Sequence, residues 1–507
     1  MNLFNFLDSA AKKYPDKAAV ICNSKRITYK KLKARAEKLA SALYSLGITK
    51  GTKAGILSFN CIEYIETIFA LMKLGTVCVP LNHRLTAGEI KELVEHAGVT
   101  TFFYGKQLEE KVPFDVHLIK NFITVGGRQT SEPIPYESLF SSASSNYPSE
   151  NINEDDESFI IYTAGTTGNP RGVILTHGNQ IWNTLNYTAA YSMTPGDIEL
   201  APTPLFHTST LGRVFTYVFN HATFILCKKF SPDECLGIIE KEKVTSLTQA
   251  PTMYHMMIKA LKNRAWDTRS VTRVVTGASP MTPKAKTELK GLFSMADFFD
   301  LYGLTEAGPG VSIIGSADFT RKIDSVGKPM LSVEVRINDE KGNMTPAGQV
   351  GEILCQGPNV MKGYYKDPEA TAEALRNGWF HTGDMGRIDE EGFLYIVGRK
   401  KDIIISGGTN IYPGEVEKVL IEHPAVDDAS VIGVPDETWG EKVVAAVVLK
   451  QNKPCTEKTI IGFCREHLAS FKCPRSVFFT DELPRNAAQK IMKKKLCDMF
   501  LKNAGAP

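Results

Sequence analysis

The sequence predicts an α/β protein. A large N-terminal domain of two layered α/β subdomains and a β-rich subdomain spans 1–400, and a small α+β domain follows over 401–507. Three observations predict it. Short apolar strands alternate with amphipathic helices, the pattern of parallel α/β layers. From Ser325 the texture changes to alternating residues broken by the turns "EKGN" and "PAGQ", which reads as antiparallel β. At 507 residues the chain also exceeds what one core usually organises.

Leu3, Phe4, Leu7 and Ala11 sit at helical spacing and predict an amphipathic first helix. "ITYKKLKARAEKLASALYSLG" reads mostly as a long helix stopped at Gly47. The strand "AGILSF", the helix "EYIETIFALMKLG" with its glycine stop, and the strand "TVCVPL" follow. The alternation resumes at "VTSLTQA", "VTRVVTG" and "FDLYG". The stretch 128–157, rich in Ser, Pro, Asn and acid, reads as a surface connection between two α/β halves. After "GRKKD" come the helix "YPGEVEKVLIEHP", the strands "DASVIGVP" and "EKVVAAVVL", and the helix "TEKTIIGFCREHL". The boundary is placed at Lys401.

Composition excludes several classes. A formal net charge of +3 gives no global field for nucleic acid. The basic run "KIMKKKL" reads as a solvated helix face. Ten cysteines stand singly, with neither a CxxC pair nor a zinc spacing. No secretory apolar region opens the chain, and the segment "FTYVFNHATFILC" is too short to span a bilayer. Free thiols, a cytoplasmic location and no transmembrane segment are expected.

The stretch "YTAGTTGNPRGV", Tyr162 to Val173, offers hydroxyls, bare N–H groups and one cation. Glycines let a backbone approach a ligand closely. Thr163, Thr166 and Thr167, with Gly165 and Gly168, can hold phosphate oxygens, and Arg171 supplies charge. A Gly/Thr hairpin turn is the plainer reading of the same residues. The Walker pattern is not matched, because Pro170 and Arg171 fall where Gly-Lys would stand.

This loop resembles the phosphate-binding signature of the adenylate-forming superfamily, which holds acyl-CoA synthetases, firefly-type luciferases and nonribosomal adenylation domains. Ala164 stands for the usual Ser and Arg171 for the usual Lys. "LYGLTEAG", "HTGDMGRID", "GRKKDIIISGGTNIYPGEVE" and "LPRNAAQKI" resemble further elements of that family, in its order. Gln489 replaces the glycine that usually precedes the terminal lysine. The resemblance covers nearly the whole chain and is greatest to fatty-acid or coumarate-type CoA ligases.

It implies ATP, Mg²⁺ and coenzyme A as partners of a carboxylic acid. Tyr302 and Gly303, with Gly277, Ala278 and Ser279, would border adenine and acyl group. Thr305 would bind the α-phosphate and Glu306 would hold Mg²⁺. Asp384 would accept the ribose hydroxyls, and Arg399 would assist at the ribose or the phosphate. Lys490, in a small mobile domain hinged at Lys401, would neutralise charge during adenylation. Gly407 and Gly408 would border the pantetheine, while Trp439, Phe471, Lys472 and Arg475 would surround the CoA nucleotide.

His207 in "PLFHTSTLGR" matches the gate at the carboxylate end. No aspartate nearby could hold an ammonium, so an α-amino acid is disfavoured. Gly303 stands where acetate-type enzymes carry tryptophan, so the pocket is expected to be open to a medium- or long-chain or aromatic acid. Arg213 either snorkels to solvent or pairs with a second carboxylate. The expected activity is an AMP-forming acyl-CoA synthetase, compatible with a homodimer. Rival readings are an enzyme loading a separate carrier protein, a silent acyl-nucleotide binder and a luciferase-like oxygenase.

Overall fold

The computed structural model describes residues 1–126, 133–141, 150–163, 170–277, 279, 281, 283–485 and 491–503. Contacts divide the chain into two compact units. One is Met1–Val335 with Cys355–Phe380, and the other is Arg336–Leu354 with His381–Pro507. Lys401 lies within the second.

Two large sheets build the first unit, of nine and eight strands. In the nine-stranded sheet, Thr223–Leu226, Ile198–Ala201, Ser246–Gln249, Arg273–Gly277 and Asp297–Gly303 run parallel as consecutive neighbours. Their carboxyl ends therefore lie on one edge, where open α/β sheets bind ligands. In the other sheet, Val77–Pro80, Lys53–Leu57 and Thr101–Gly105 are parallel, and Glu157–Thr163 joins them. The helices form where expected. Tyr29–Ser45 is capped by the Thr28 side chain, and Ile62–Leu74 ends on Gly75 in the left-handed conformation. The first helix, Phe4–Lys13, buries Phe4, Phe6, Leu7 and Ala10.

The connection around 128–157 is more than a surface link. Tyr136 and Leu139 are buried in a short turn, and the Tyr136 hydroxyl donates to Glu66 at 2.9 Å. Strand Trp379–Ile388, which enters the second unit at His381, pairs antiparallel with Leu394–Arg399, and a separate sheet of that unit follows. That sheet is built on the long hairpin Val426–Asp436 and Gly440–Leu449, flanked by the helices Pro413–Glu422 and Glu457–His467. Lys493, within the basic run, is not solvated as expected: it bonds to Glu417 at 2.8 Å and to the Val431 carbonyl.

Candidate active site

The glycine- and threonine-rich stretch joins two antiparallel strands, with Thr163 opposite Arg171 and Tyr162 opposite Gly172. Strand Arg171–Thr176 then runs directly into helix His177–Tyr191 through a Thr176–Asn179 capping box. Gly165, Thr166, Thr167 and Gly168 lie outside the described residues. Arg171 is described, and its guanidinium lies 3.7 Å from Asp367 and over the Tyr364 ring at 5.3 Å. Tyr364 is carried there because Gly363–Tyr364 pairs antiparallel with the Arg171 strand. Its hydroxyl donates to the Glu306 carboxylate at 3.1 Å. Burial, and then the Glu306 charge, push the Tyr364 hydroxyl above its ordinary value, so it remains a donor.

Thr305 and Glu306 sit in a one-turn helix just past strand Asp297–Gly303. The Thr208 hydroxyl donates to that of Thr305 at 3.0 Å. Thr208 opens helix Thr208–Phe219, which has His207 at its N-cap. The residue after the expected gate and the expected phosphate ligand are thereby joined through one hydrogen bond. The Glu306 segment is braced from behind. Its carbonyl accepts from Met361 N at 2.8 Å, and the Asn359 amide donates to the carbonyls of Ala307 and Gly310. Tyr302 stands beside Ser312, and Leu301 beside Gly277. Ser279 is exposed, and Ala278 lies outside the described residues.

Glycine at 303 has a reason that the sequence reading missed. A Cβ there would lie 1.8 Å from the Pro309 carbonyl oxygen. Backbone packing thus favours a bare residue here, a constraint that stands beside the expected opening of the pocket. Arg213 also departs from both readings. It is buried, paired with the fully buried Glu199, and bonded to the Ser209 carbonyl at 3.2 Å and Thr203 Oγ1 at 3.1 Å. It neither snorkels nor stands free for a substrate carboxylate.

In the second unit Asp384 and Arg399 face each other across paired strands, 2.6 Å apart, with Asp384 only 4% exposed. Lys401 is exposed in the turn that follows. Gly407 and Gly408, at φ +58° and +77°, form the two-residue turn between Ile404–Ser406 and Thr409–Ile411. Gly407 N donates to the Trp439 carbonyl at 2.8 Å, and the Arg475 guanidinium lies over the Trp439 ring at 4.0 Å. Three of the expected CoA residues thus meet. Lys472 is held by Glu415 at 2.5 Å, and Phe471 is half-exposed beside it. Lys490 lies outside the described residues.

The donor set suits magnesium. Glu306 and Thr305 offer hard oxygen atoms. Among the described residues no cluster of three or more His, Cys, Asp or Glu could cage a metal. A cation here would rely on one carboxylate and the phosphates of its substrate, as Mg²⁺ does. Tyr364 and Thr208 were missed in the sequence. The tyrosine pair "GYY" beside "KDPEAT" carries no signal by itself, and the partners lie 58 and 97 residues away.

Among the described residues no helix is long and apolar enough to cross a membrane. The AMP-binding enzyme family matches residues 7–365, and the AMP-binding enzyme C-terminal domain matches 415–490. A feruloyl-CoA synthase of Amycolatopsis sp is 36% identical over 97% of both chains. A 2-succinylbenzoate–CoA ligase of Geobacillus sp. (strain WCH70) is 33% identical over 98% of both. The fold is similar to that of o-succinylbenzoate coenzyme A synthetase from Bacillus subtilis in complex with ATP and magnesium ion. There the TM-score is 0.87, with 32% identity over 97% of this chain and 99% of that one. The chain therefore belongs to the AMP-binding enzyme family and, within the adenylate-forming superfamily, to its AMP-forming acid–thiol ligases.

Proposed function

We propose that this ligase activates an aromatic carboxylic acid as its acyl-adenylate and passes the acyl group to coenzyme A in the cytoplasm. The observation that carries the reading is the Thr208–Thr305 hydrogen bond. It sets the residue after the carboxylate gate against the expected α-phosphate ligand, the juxtaposition that adenylation requires. Likeness to feruloyl- and 2-succinylbenzoate-activating relatives supports the aromatic acid.

In the first step a carboxylate oxygen attacks the α-phosphorus of ATP, and the bond to the bridging oxygen breaks, releasing pyrophosphate. Thr305 orients the α-phosphate, Arg171 and Lys490 neutralise developing charge, and the loop Gly165–Gly168 with Thr163 holds phosphate oxygens. Glu306 would hold magnesium, which would supply charge neutralisation on the phosphates. Asp384, presented by Arg399, accepts the ribose hydroxyls, and Tyr302 stacks on adenine. In the second step the CoA thiolate attacks the acyl carbon, the carbon–oxygen bond to AMP breaks, and AMP leaves. Movement about Lys401 separates the steps. The Gly407 turn borders the pantetheine arm, and Trp439 with Arg475 takes the nucleotide.

AMP release over a panel of aromatic and aliphatic acids, with and without CoA, tests the reading. CoA-dependent release with aromatic acids is expected. Release only when a carrier protein is added would favour a loading enzyme, and no release would favour a silent binder.

A further inference from the structure

We infer that Gln249 recognises a neutral, hydrogen-bonding substituent on the ring of the acid, so that the preferred substrates are aromatic acids bearing a hydroxyl or similar group. The inference rests on the aryl-acid reading above and narrows it.

Gln249 ends strand Ser246–Gln249, at the carboxyl edge of the nine-stranded sheet. Its strand lies between two others. One is Ile198–Ala201, whose continuation carries His207 and Thr208. The other is Arg273–Gly277, which leads into Ser279. Gln249 is therefore flanked by both segments expected to border the acyl group. The side chain is 3% exposed, yet neither its Oε1 nor its Nε2 has a hydrogen-bond partner. Among the described residues no other side-chain amide has both of its atoms buried and unpartnered. Gln180 donates to the Gly308 carbonyl, Asn183 accepts from Gly310 N, and Asn186 accepts from both the N–H and the hydroxyl of Ser332.

Thr276 stands directly opposite Gln249 in the parallel register, is 1% exposed, and its hydroxyl is likewise unpartnered. Register partners project from the same face of a sheet. Two orphaned polar groups thus share one place. Native structures seldom leave a buried polar group unpaired without a use for it. An amide offers one donor and one acceptor function, which a hydroxyl complements in both directions.

The substituent is neutral by charge balance. Arg213, which carries the one charge in helix Thr208–Phe219, is already neutralised by Glu199. A second carboxylate placed at Gln249 would find an amide and a hydroxyl, not an available guanidinium. A site built to bond a substrate hydroxyl also discriminates strongly against the analogue that lacks it, because its own groups are then left unpaired.

The test compares acids that differ by one ring hydroxyl: 4-hydroxycinnamic with cinnamic acid, and 4-hydroxybenzoic with benzoic acid. AMP release in the presence of CoA gives kcat/KM for each. The wild-type enzyme is expected to favour the hydroxylated member of at least one pair by about tenfold or more. Gln249→Leu should narrow that ratio at least tenfold, leave the KM for ATP within about twofold, and melt no lower than wild type. Gln249→Met provides the same test should the leucine variant fold poorly. Equal preference in the wild type, or a ratio that survives both substitutions, overturns the inference while leaving the aryl-acid reading intact. Turnover of aliphatic acids alone would overturn both.

Discussion

The Tyr364 hydroxyl donates a hydrogen bond to the Glu306 carboxylate at 3.1 Å, while the Arg171 guanidinium lies over the same tyrosine ring at 5.3 Å. One side chain thus links the cation at the foot of the phosphate loop to the expected magnesium ligand. Tyr364→Phe removes the bond and keeps the ring. Hydrogen bonds to charged groups are worth about 1.5–3 kcal/mol. We therefore expect the Mg²⁺ concentration for half-maximal pyrophosphate exchange to rise on the order of tenfold, with little change in melting temperature. ATP titration calorimetry at varied Mg²⁺ should show the same shift. An unaltered Mg²⁺ dependence would remove Tyr364 from the site.

That pairing shows what the sequence could and could not say. Runs such as "LYGLTEAG", "HTGDMGRID" and "GRKKD" carry their chemistry within a few residues, so Glu306, Asp384 and Arg399 stand out as candidates from sequence alone, and the strands that hold them are legible too. Asp384 and Arg399 meet because consecutive antiparallel strands bring them into register. Tyr364 and Thr208 depend on pairings across 58 and 97 residues, and no local pattern announces those. Arg213 misled for a related reason. Its partner Glu199 lies on a separate strand, 14 residues earlier, and a lone cation in an apolar run looks the same whether paired or waiting.

The Arg213–Glu199 pair gives the second prediction. Both groups are buried, and Tyr217 donates to Glu199 as well. Arg213→Met leaves a buried carboxylate without its cation, which costs about 3–5 kcal/mol. Urea unfolding should register that loss. Adding Glu199→Gln should restore most of it, since the amide oxygen still accepts from Tyr217. If Arg213→Met retains stability and loses only dicarboxylic acids, the residue serves the substrate after all.

Two neighbouring glycines separate conformational strain from contact. Gly407 and Gly408 both have positive φ, so alanine at either costs about 1–2 kcal/mol in backbone energy. Only at Gly407 would the Cβ also meet the Trp439 ring, at 2.9 Å; at Gly408 it would meet nothing within 4 Å. Gly407→Ala should therefore displace the indole and raise the KM for CoA roughly threefold or more beyond the effect of Gly408→Ala, with pyrophosphate exchange similar in both. Matching CoA constants in the two variants would count against Trp439 as a nucleotide platform.

Lys490 is required, on the proposed mechanism, where negative charge develops at the α-phosphate and not where the thiolate attacks carbon. Lys490→Ala should lower the adenylation rate by about a hundredfold or more, as removal of a transition-state donor does. Thioester formation from supplied acyl-adenylate should continue. Pyrophosphate exchange at the wild-type rate would show that the charge comes from elsewhere.

Gly303 distinguishes a pocket wall from a packing contact. Were the residue bare to leave room for substrate, filling it would trim the acids accepted and spare the fold. The backbone points the other way. The Pro309 carbonyl oxygen would lie 1.8 Å from a Cβ at 303, and that carbonyl already accepts a bond from Leu304 N at 3.0 Å. Withdrawal of Pro309 is opposed on its far side, where Asn359 holds the carbonyls of Ala307 and Gly310 and Asn183 receives Gly310 N. Alanine, the smallest side chain available, therefore forces the Thr305–Glu306 segment to move. Overpacking of this kind costs about 1–3 kcal/mol, and the displaced segment carries both the expected phosphate ligand and the expected metal ligand. Gly303→Ala is predicted to lower the melting temperature and to weaken turnover of long and short acids alike, with a raised KM for ATP. A variant of wild-type stability that simply shifts its preference toward shorter acids would restore the pocket-wall reading and refute the packing one.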